Sequence, residues 1–263
     1  MPRTPLLLLA AFTILLISIA IWTLRAPLSF QLVRHLQADQ IARSLNPTNP
    51  DLLMTIGNSF FGDGRIYDQT KAYEAFSEVI KQDPGRVEAH YQLGRIYFIN
   101  GQFESAITEI ETVLRLNPDF KKAYYMYGLI SGYKGDLNQA IWGFSEFIAR
   151  DSFNWAGYND LAWIYFKQGD YEKTREIASQ GLRQAPSNPW LQNTYGTALL
   201  NLGDQEQART IFTAALKTCE QMRPEDWGGA YPGNDPALYG RGLGEMCMTI
   251  RKNLSLLTDD SHP

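Results

Sequence analysis

The sequence contains few of the residue types that build catalytic and metal-binding sites. Three histidines and two cysteines occur among its 263 residues. His35, His90 and His262 are far apart in the sequence, and none has the cysteine or carboxylate spacing of a metal site. No combination of Ser, His and Asp, no nucleophile elbow and no phosphate-binding loop is present. The sequence therefore predicts a protein that is not an enzyme and that holds no cofactor or metal.

The sequence also lacks an excess of basic residues. It has 24 Lys and Arg residues against 28 Asp and Glu residues, which gives a formal net charge of −4, and the two signs are interspersed along the chain. A surface that binds nucleic acid carries a cluster of positive charge that matches the phosphates. We therefore expect no nucleic acid among the partners.

The sequence does contain small residues that return every 34 positions. Three such series run in parallel. They are Gly94, Gly128, Ala162 and Gly196; Gly101, Gly135, Gly169 and Gly203; and Ala106, Ala140, Thr174 and Ala208. Self-similarity at a fixed period of this length is the signature of stacked supersecondary units. The pattern predicts a repeat array from His90 to Ala215.

Larger residues at fixed offsets from these small positions also repeat. One copy of the pattern reads Leu93-Gly94, Tyr97, Ala106, Ile110 and Pro118, and another reads Leu161-Ala162, Tyr165, Thr174, Ala178 and Pro186. In period and residue class, these copies resemble the tetratricopeptide repeat, a helix-turn-helix unit. The resemblance covers about two-thirds of the chain. It implies an all-α solenoid, a right-handed superhelix of stacked repeats.

The small residues have a physical role in such a unit, whose two helices are termed A and B. Gly94 falls where helices A and B cross, and a larger side chain there would push the two backbones apart. The series that starts at Gly101 falls in the turn between the helices, where a positive φ ends helix A at little cost. Asp136, Asp170 and Asp204 directly follow these glycines and are expected to cap helix B.

The repeat pattern and the flanking sequence divide the chain into four parts. A membrane anchor is expected at residues 1–25 and a juxtamembrane helix at residues 26–49. About five repeats follow over residues 50–222, at 50–86, 87–120, 121–154, 155–188 and 189–222. Residues 223–263 supply a loop and a C-terminal helix that caps the open end of the array. In the first repeat the small residue is Gly57, three positions before Phe60, which indicates an insertion in the turn between its helices.

An apolar run of 19 residues, Leu6 to Leu24, precedes the repeats. A helix of this length measures about 28 Å, close to the thickness of the hydrocarbon core of a bilayer. We favour an uncleaved single-pass anchor over a cleaved signal peptide, because Arg25 and Pro27 flank the best cleavage position poorly. The protein is then expected in the cell membrane with its repeats outside the cytoplasm. Because the flanking positive charges are nearly balanced, a cytoplasm-facing array is the alternative.

Ligand binding is expected on the concave face of the array, which the A helices supply. The register of the resemblance places aromatic, amide and basic side chains there, a composition suited to an extended peptide. The predicted groove residues are Asn58, Tyr91, Arg95, Phe98, Lys122, Tyr125, Tyr133, Asn159, Trp163, Phe166, Trp190, Asn193 and Asn201. An alternative interpretation is that some of these aromatic side chains only pack against the neighbouring repeat.

The two cysteines fall near the end of the array. Cys219 ends the last predicted repeat helix, and Cys247 lies in the C-terminal helix. If these helices pack antiparallel outside the cytoplasm, a disulfide joins the cap to the array. The other interpretation is that both cysteines are small buried apolar residues.

Taken together, these features predict a membrane-anchored scaffold without catalytic activity that binds a partner protein or peptide. Two alternatives stay open. One is a module that binds carbohydrate or another envelope polymer through Trp163, Trp190 and neighbouring aromatic residues. The other is an accessory subunit of a larger membrane or secretion complex, with no ligand site of its own. The sequence does not predict the oligomeric state.

Overall fold

Helices make up all the regular secondary structure in the described part of the chain. The computed structural model describes residues 19–20, 23–25, 27–33, 39–46, 48–61, 67–224, 226 and 239–257. The chain divides into two compact units, residues 1–89 and residues 90–263, which are described separately below. The all-helical architecture expected from the sequence is confirmed.

The described part of the first unit includes α1 (Asp39–Leu45), α2 (Pro50–Phe60) and α3 (Gln69–Gln82). Residues 27–33 are also helical, and the unit ends within the helix that starts at Val87. The side chain of Asn49 accepts a hydrogen bond from the Leu52 amide and so caps α2. The side chain of Asp68 caps α3 in the same way through the Lys71 amide. Each cap satisfies an amide that has no partner within its helix.

Gly57 of α2 lies against the Phe76 ring of α3. A Cβ atom at this position would lie 2.4 Å from Cε1 of Phe76, so a larger residue would force the ring to shift. Phe76 follows Gly57 by three residues more than Phe144 follows Gly128 at the matching crossing of a later repeat. The first repeat therefore carries its extra residues between two intact helices, as the sequence indicates. Residues 62–66 of this turn lie outside the described residues.

The second unit begins within α4 and consists of helix pairs followed by one C-terminal helix. The A helices are α4 (Val87–Ile99), α6 (Lys121–Lys134), α8 (Trp155–Lys167) and α10 (Pro189–Asn201). The B helices are α5 (Phe103–Leu116), α7 (Leu137–Arg150), α9 (Tyr171–Gln184) and α11 (Gln205–Cys219), and α12 (Tyr239–Ser255) follows. From α5 to α11, each helix packs against the next along the chain, and α8 also contacts the A helices on both sides.

A glycine in the left-handed conformation lies in every A-to-B turn of this unit. The φ angles are +71° at Gly101, +97° at Gly135, +78° at Gly169 and +85° at Gly203. The expected role of the second glycine series is thus confirmed, because residues with a Cβ atom rarely adopt such angles. The expected caps are confirmed only in part. Asp170 and Asp204 accept from amides of their helices, whereas the side chain of Asp136 makes no capping hydrogen bond.

The crossing of α6 and α7 shows why the first series is small. A Cβ atom on Gly128 would lie 2.9 Å from Cγ of Phe144, and one on Gly143 would lie 2.6 Å from the backbone nitrogen of Gly128. The two backbones therefore touch, and the fully buried rings of Phe144 and Phe147 fill the space beside the contact. Close approach of the two backbones thus leaves the flanking space to large aromatic side chains at this crossing.

The C-terminal helix α12 covers the last repeat. Ile250 and Leu257 are buried against Phe212 and Cys219 of α11. A disulfide joins Cys219 to Cys247, with the Cα atoms 5.8 Å apart. This is one of the two arrangements that the sequence leaves open. The predicted start of this helix near Asp235 lies outside the described residues, and the described helix begins at Tyr239.

The predicted membrane anchor falls mostly on residues about which the structure gives no description. Residues 6–18, 21 and 22 lie outside the described part of the chain. Among the helices that are described, none is both long enough and apolar enough to span a bilayer.

Candidate binding surface on the A helices

Three aromatic side chains on successive A helices form a continuous row in the second unit. Phe98 of α4 contacts Tyr133 of α6 edge-on, with ring centroids 5.4 Å apart. Tyr133 in turn contacts Trp163 of α8 at 5.8 Å. Tyr133 is 58% exposed, and the other two rings are half-buried. These three residues, called the aromatic row below, offer π surface to a ligand and bring together three of the predicted groove residues.

A basic side chain lies on the aromatic row. Nζ of Lys167 is 4.6 Å from the centroid of the Trp163 ring, within the range of a cation–π contact. The same Nζ donates a hydrogen bond of 3.0 Å to the carbonyl oxygen of Gly132. Lys167 thereby links α8 to α6 and adds positive charge beside the exposed Tyr133 ring.

Two of the predicted groove residues are core residues instead. Tyr125 is 1% exposed, and its ring packs edge-on against Phe144 and Phe147 of α7. Tyr91 is 7% exposed, and its ring packs on Phe120; burial raises the pKa of Tyr91 to about 12. Neither ring is available to a ligand. The reason is that aromatic side chains enclose both rings: Phe144 and Phe147 come from the B helix of the same repeat as Tyr125, and Phe120 directly precedes α6.

A buried polar network lies beside the aromatic row. The Tyr125 hydroxyl donates to Oδ2 of Asp160 at 2.5 Å, and Nδ2 of Asn159 donates to Oδ1 of Asp160 at 3.0 Å. The Thr194 hydroxyl donates to Oδ1 of Asn159 at 2.9 Å. The network therefore connects the A helices α6, α8 and α10. Asn159, a predicted groove residue, is buried, and its side chain forms hydrogen bonds within this network and not with a ligand.

Asp160 is a buried ionisable residue on this face that the repeat register did not predict as a groove residue. Burial raises the pKa of its carboxyl to about 6, and the hydrogen bonds from Tyr125 and Asn159 offset only part of that effect. No lysine, arginine or histidine forms an ion pair with Asp160 within the described residues. Burial raises the pKa of Tyr133 as well, and the nearby Asp160 charge adds to the rise. The sequence signal that could have identified Asp160 is an acidic residue in the middle of a predicted A helix, between Asn159 and Leu161.

The C-terminal helix occupies the last repeat's part of the predicted groove. Nδ2 of Asn253 donates to Oδ1 of Asn193 at 3.0 Å and lies 3.4 Å from the Thr197 hydroxyl. Asn193 therefore binds the cap. The predicted groove does not extend as an open surface to this position.

The other predicted groove residues do not join the aromatic row. Trp190 stacks against Trp155 at 5.0 Å, Phe166 packs on Tyr171 of its own repeat, and Arg95 donates to Gln92. Lys122 is exposed, and Asn201 donates to the Thr197 carbonyl oxygen within α10. Asn58 is half-buried in α2 of the first unit. The surface that the structure assembles is thus smaller than the predicted groove.

Known proteins share this fold and, at low identity, this sequence. Over 175 residues the chain is 25% identical to the TPR repeat-containing protein YpiA of Bacillus subtilis, which covers 66% of this chain and 41% of that protein. Over 177 residues it is 28% identical to the BBSome complex member BBS4 of Bos taurus, and the match covers 67% of this chain and 32% of that protein. The chain therefore spans less than half the length of either relative.

Solved structures give the same picture. A crystal structure of MamA protein superposes with a TM-score of 0.57 at 25% identity, covering 65% of this chain and 92% of that one. A tetratricopeptide repeat protein from Parabacteroides merdae superposes with a TM-score of 0.56, covering 86% of this chain and 84% of that one. Because the two sequences are 17% identical, this match shows the fold alone.

The family assignment rests on a direct match. Residues 68–128 and 148–221, just over half of the chain, match the family model described as tetratricopeptide repeat. Proteins built from this repeat generally mediate protein–protein interactions and are generally not catalytic. The chain belongs to the tetratricopeptide repeat family.

Proposed function

We propose that this protein is a scaffold without catalytic activity that holds an extended segment of a partner protein along the aromatic row. The observation that supports the proposal is the row itself, in which partly exposed rings from α4, α6 and α8 follow one another at 5.4 and 5.8 Å. Extended peptides dock on such surfaces through apolar side chains that contact the rings, while the backbone bonds to neighbouring polar groups.

The charges beside the row narrow the partner's chemistry. Nζ of Lys167 lies 4.6 Å from the centroid of the Trp163 ring and places a positive charge at the row. A segment that combines aromatic or aliphatic residues with an acidic residue matches this surface. The Asp160 carboxyl is buried, and its charge adds to the rise in the pKa of Tyr133, so the acidic residue of the partner is expected near Lys167 and not at the Tyr133 hydroxyl.

The test begins with photocrosslinking from the most exposed ring. A photoreactive phenylalanine placed at Tyr133 in the full-length protein identifies the partner in cells, and the crosslinked segment is then synthesised as a peptide. Calorimetry is expected to show that Trp163→Ala weakens peptide binding by about 1–3 kcal/mol, because an aromatic anchor at an interface contributes that much.

Trp142→Ala is the matched control. Trp142 is 44% exposed, but it lies on the B helix α7, where its ring contacts Tyr124 and Tyr127. This substitution should leave peptide affinity unchanged. Equal effects of the two substitutions, or none from Trp163→Ala in a folded protein, would rule out the row as the docking site.

We further propose that residues Leu6 to Leu24 anchor the chain in the cell membrane and that the repeats lie outside the cytoplasm. The pairing of Cys219 with Cys247 supports this orientation, because stable disulfides form mainly in oxidising compartments. Protease added to intact cells should digest the repeats, and nonreducing gels should show the bridge. Protection from protease together with two reduced thiols would favour the cytoplasm-facing alternative.

An accessory role in a larger complex is the second candidate. The similarity to BBS4, a BBSome complex member, favours it weakly because the match covers 32% of that protein. Purification at native expression level separates the two functions. A partner that stays at fixed stoichiometry when Trp163 is replaced indicates a subunit, whereas a partner lost with that substitution indicates a scaffold with a ligand site.

A further inference from the structure

A second group of aromatic side chains, separate from the aromatic row, lies on the helix pair α6 and α7. The Trp142 ring of α7 contacts Tyr124 edge-on, with ring centroids 5.7 Å apart, and Tyr127 edge-on at 5.1 Å. Trp142 is 44% exposed, whereas Tyr124 is buried and Tyr127 is half-buried. These three residues, called the Trp142 cluster below, therefore present an indole side chain to solvent on a B helix.

The repeat itself does not require an aromatic residue at position 142. The matching positions of the other repeats in the second unit carry polar or charged residues, namely Thr108, Glu176 and Thr210. The Tyr127 hydroxyl donates to Oε1 of Gln139 at 3.2 Å. The matching hydroxyl of Tyr195 donates to Gln207 at 3.1 Å in the last repeat, where the position of Trp142 is held by a threonine. The exposed tryptophan is thus an addition that the local structure does not need.

A carboxylate without an ion pair lies near the Trp142 cluster. Glu111 of α5 is exposed, and no cation pairs with it within the described residues. Burial raises the pKa of Tyr127, and the charges of Glu111 and Asp136 raise it further. Lys134 acts in the opposite direction. Glu111 also departs from the repeat, because the matching positions carry Ser145, Ser179 and Thr213.

The cations near the cluster already have carboxylate partners. The ion pairs are Lys134 with Glu104 and Asp136, and Arg150 with Glu146. Arg115 follows Glu111 by one turn of α5, but the two side chains form no ion pair. Glu111 is therefore left as a carboxylate that a cation from another molecule can approach.

The Trp142 cluster already holds one guanidinium group of this chain. Cζ of Arg150 lies 4.0 Å from the centroid of the Tyr124 ring, and the same guanidinium pairs with Glu146 at 2.6 Å. A guanidinium can stack on a ring and pair with a carboxylate at once, because its donors lie in the plane of the group. Trp142 and Glu111 offer the same two kinds of contact. An acidic ligand would be repelled by Glu111, and an apolar one would cover that charge without pairing it.

We propose that the Trp142 cluster binds an arginine side chain of a partner protein, with the guanidinium stacked on the Trp142 ring and paired with Glu111. Ring and carboxylate are close enough to act together, because Trp142 contacts Tyr127 and the charge of Glu111 acts on the same tyrosine. The surface goes beyond the proposed function, since it does not include the aromatic row. It gives the array a second docking site that selects a basic segment.

The experiment uses the full-length protein in a nonionic detergent, and the probe is a blocked peptide of three Gly-Ser-Arg units. Saturation-transfer NMR compares its affinity with that of the lysine peptide and of the citrulline peptide, which keeps the shape of arginine without its charge. The arginine peptide should bind most tightly and the citrulline peptide should not bind. Trp142→Thr, which introduces the residue of two matching positions, should weaken binding by about fivefold through loss of the cation–π contact. Glu111→Gln should weaken it by about threefold through loss of the ion pair.

Matched variants make each outcome decisive. Glu206→Gln changes another exposed carboxylate that has no ion pair among the described residues, and it should leave the affinity unchanged, as should Trp163→Ala. Glu111 is exposed, so Glu111→Gln tests the site even if Trp142→Thr fails to fold. The proposal is overturned if the citrulline peptide binds as tightly as the arginine peptide, or if Glu111→Gln binds like the wild type.

Sedimentation of the same proteins tests the other occupant. If the wild type self-associates and Trp142→Thr is monomeric, the cluster is an interface between copies of this chain, and the proposal is wrong. A monomeric wild type that binds the arginine peptide supports it.

Discussion

Helices α8 and α10 carry corresponding residues of two adjacent repeats, yet their exposed faces differ. Trp163 and Thr197 hold the same position in their repeats, as do Asn159 and Asn193. On α8, Trp163 belongs to the open aromatic row, and Asn159 bonds to Asp160 and Thr194. On α10, Thr197 and Asn193 face Asn253 of the C-terminal helix. A position's function in this array therefore depends on what covers it, and the cap sets where the open surface ends.

The largest loss of stability should come from Ile250→Ala, which weakens the packing of the C-terminal helix on the last repeat. This side chain is fully buried against α11, so Ile250→Ala leaves a cavity and should lower the free energy of unfolding by about 2–4 kcal/mol. Urea denaturation measures the loss. Met248→Ala, in the same helix but 59% exposed, should cost less than about 0.5 kcal/mol. Equal losses in the two variants would show that α12 is not packed as described.

The second prediction concerns the buried carboxyl of Asp160 in α8, the helix that also carries Trp163 of the aromatic row. Burial raises the pKa of Asp160 to about 6, above the 3.8 that is usual for an aspartate, so the folded state holds this proton more tightly than the unfolded state. The resulting stabilisation is fully present below about pH 4 and is lost as the pH rises through about 6. The loss is on the order of 2–3 kcal/mol. Asp160→Asn should remove this slope and be more stable than the wild type at pH 7.

Denaturation midpoints measured from pH 4 to pH 7 test this expectation. The side-chain oxygen of an asparagine at position 160 can still accept the Tyr125 hydroxyl, and a flip of the Asn159 amide, whose Nδ2 would then donate to the Thr194 hydroxyl, keeps the two NH2 groups apart. Asp119→Asn, at an exposed site, serves as the control and should keep the wild-type slope. If Asp160→Asn follows the same pH profile as the wild type, the carboxyl is not desolvated in solution.

The smallest effect should come from the polar contact between the cap and α10. Asn253→Ala removes the hydrogen bond to Asn193 and should cost about 1 kcal/mol, because one partner stays half-buried without it. NMR of the Asn193 side-chain amide and urea denaturation report the change. Asn201→Ala removes only an exposed bond within α10 and should cost less. A larger loss from Asn201→Ala would contradict the assigned role of Asn253.

Much of the fold could be predicted because its determinants are local. The 34-residue spacing of small residues marked both the helix crossings and the turns, and the positive φ angles at Gly101 and Gly135 follow from that spacing. The membrane anchor and the repeat boundaries stay predictions. The N-terminal capping hydrogen bond of helix B was predicted at Asp136 but is not formed there. Whether such a side chain bonds to the helix or to solvent depends on its geometry, which the residue type does not determine.

The binding surface was predictable only in part because exposure depends on neighbours that are distant in sequence. Register identified Tyr125 and Tyr133 equally well, but Phe144 and Phe147 enclose the first and leave the second open. The cover over Asn193 comes from a residue 60 positions later. Asp160 was not predicted because the repeat register assigns its neighbour Asn159, and not position 160, to the groove. A periodic sequence specifies helix faces, whereas packing decides which of them meet solvent.

The disulfide between α11 and α12 also bears on how this array can change in length over evolution. Repeat arrays lengthen and shorten by duplication or deletion of whole units. A unit inserted after Cys219 would carry it away from Cys247 and leave two unpaired thiols, whereas a unit inserted before α10 would keep the bridge. The last repeat and the C-terminal helix are therefore expected to be inherited together, with changes in repeat number confined to the upstream part of the chain.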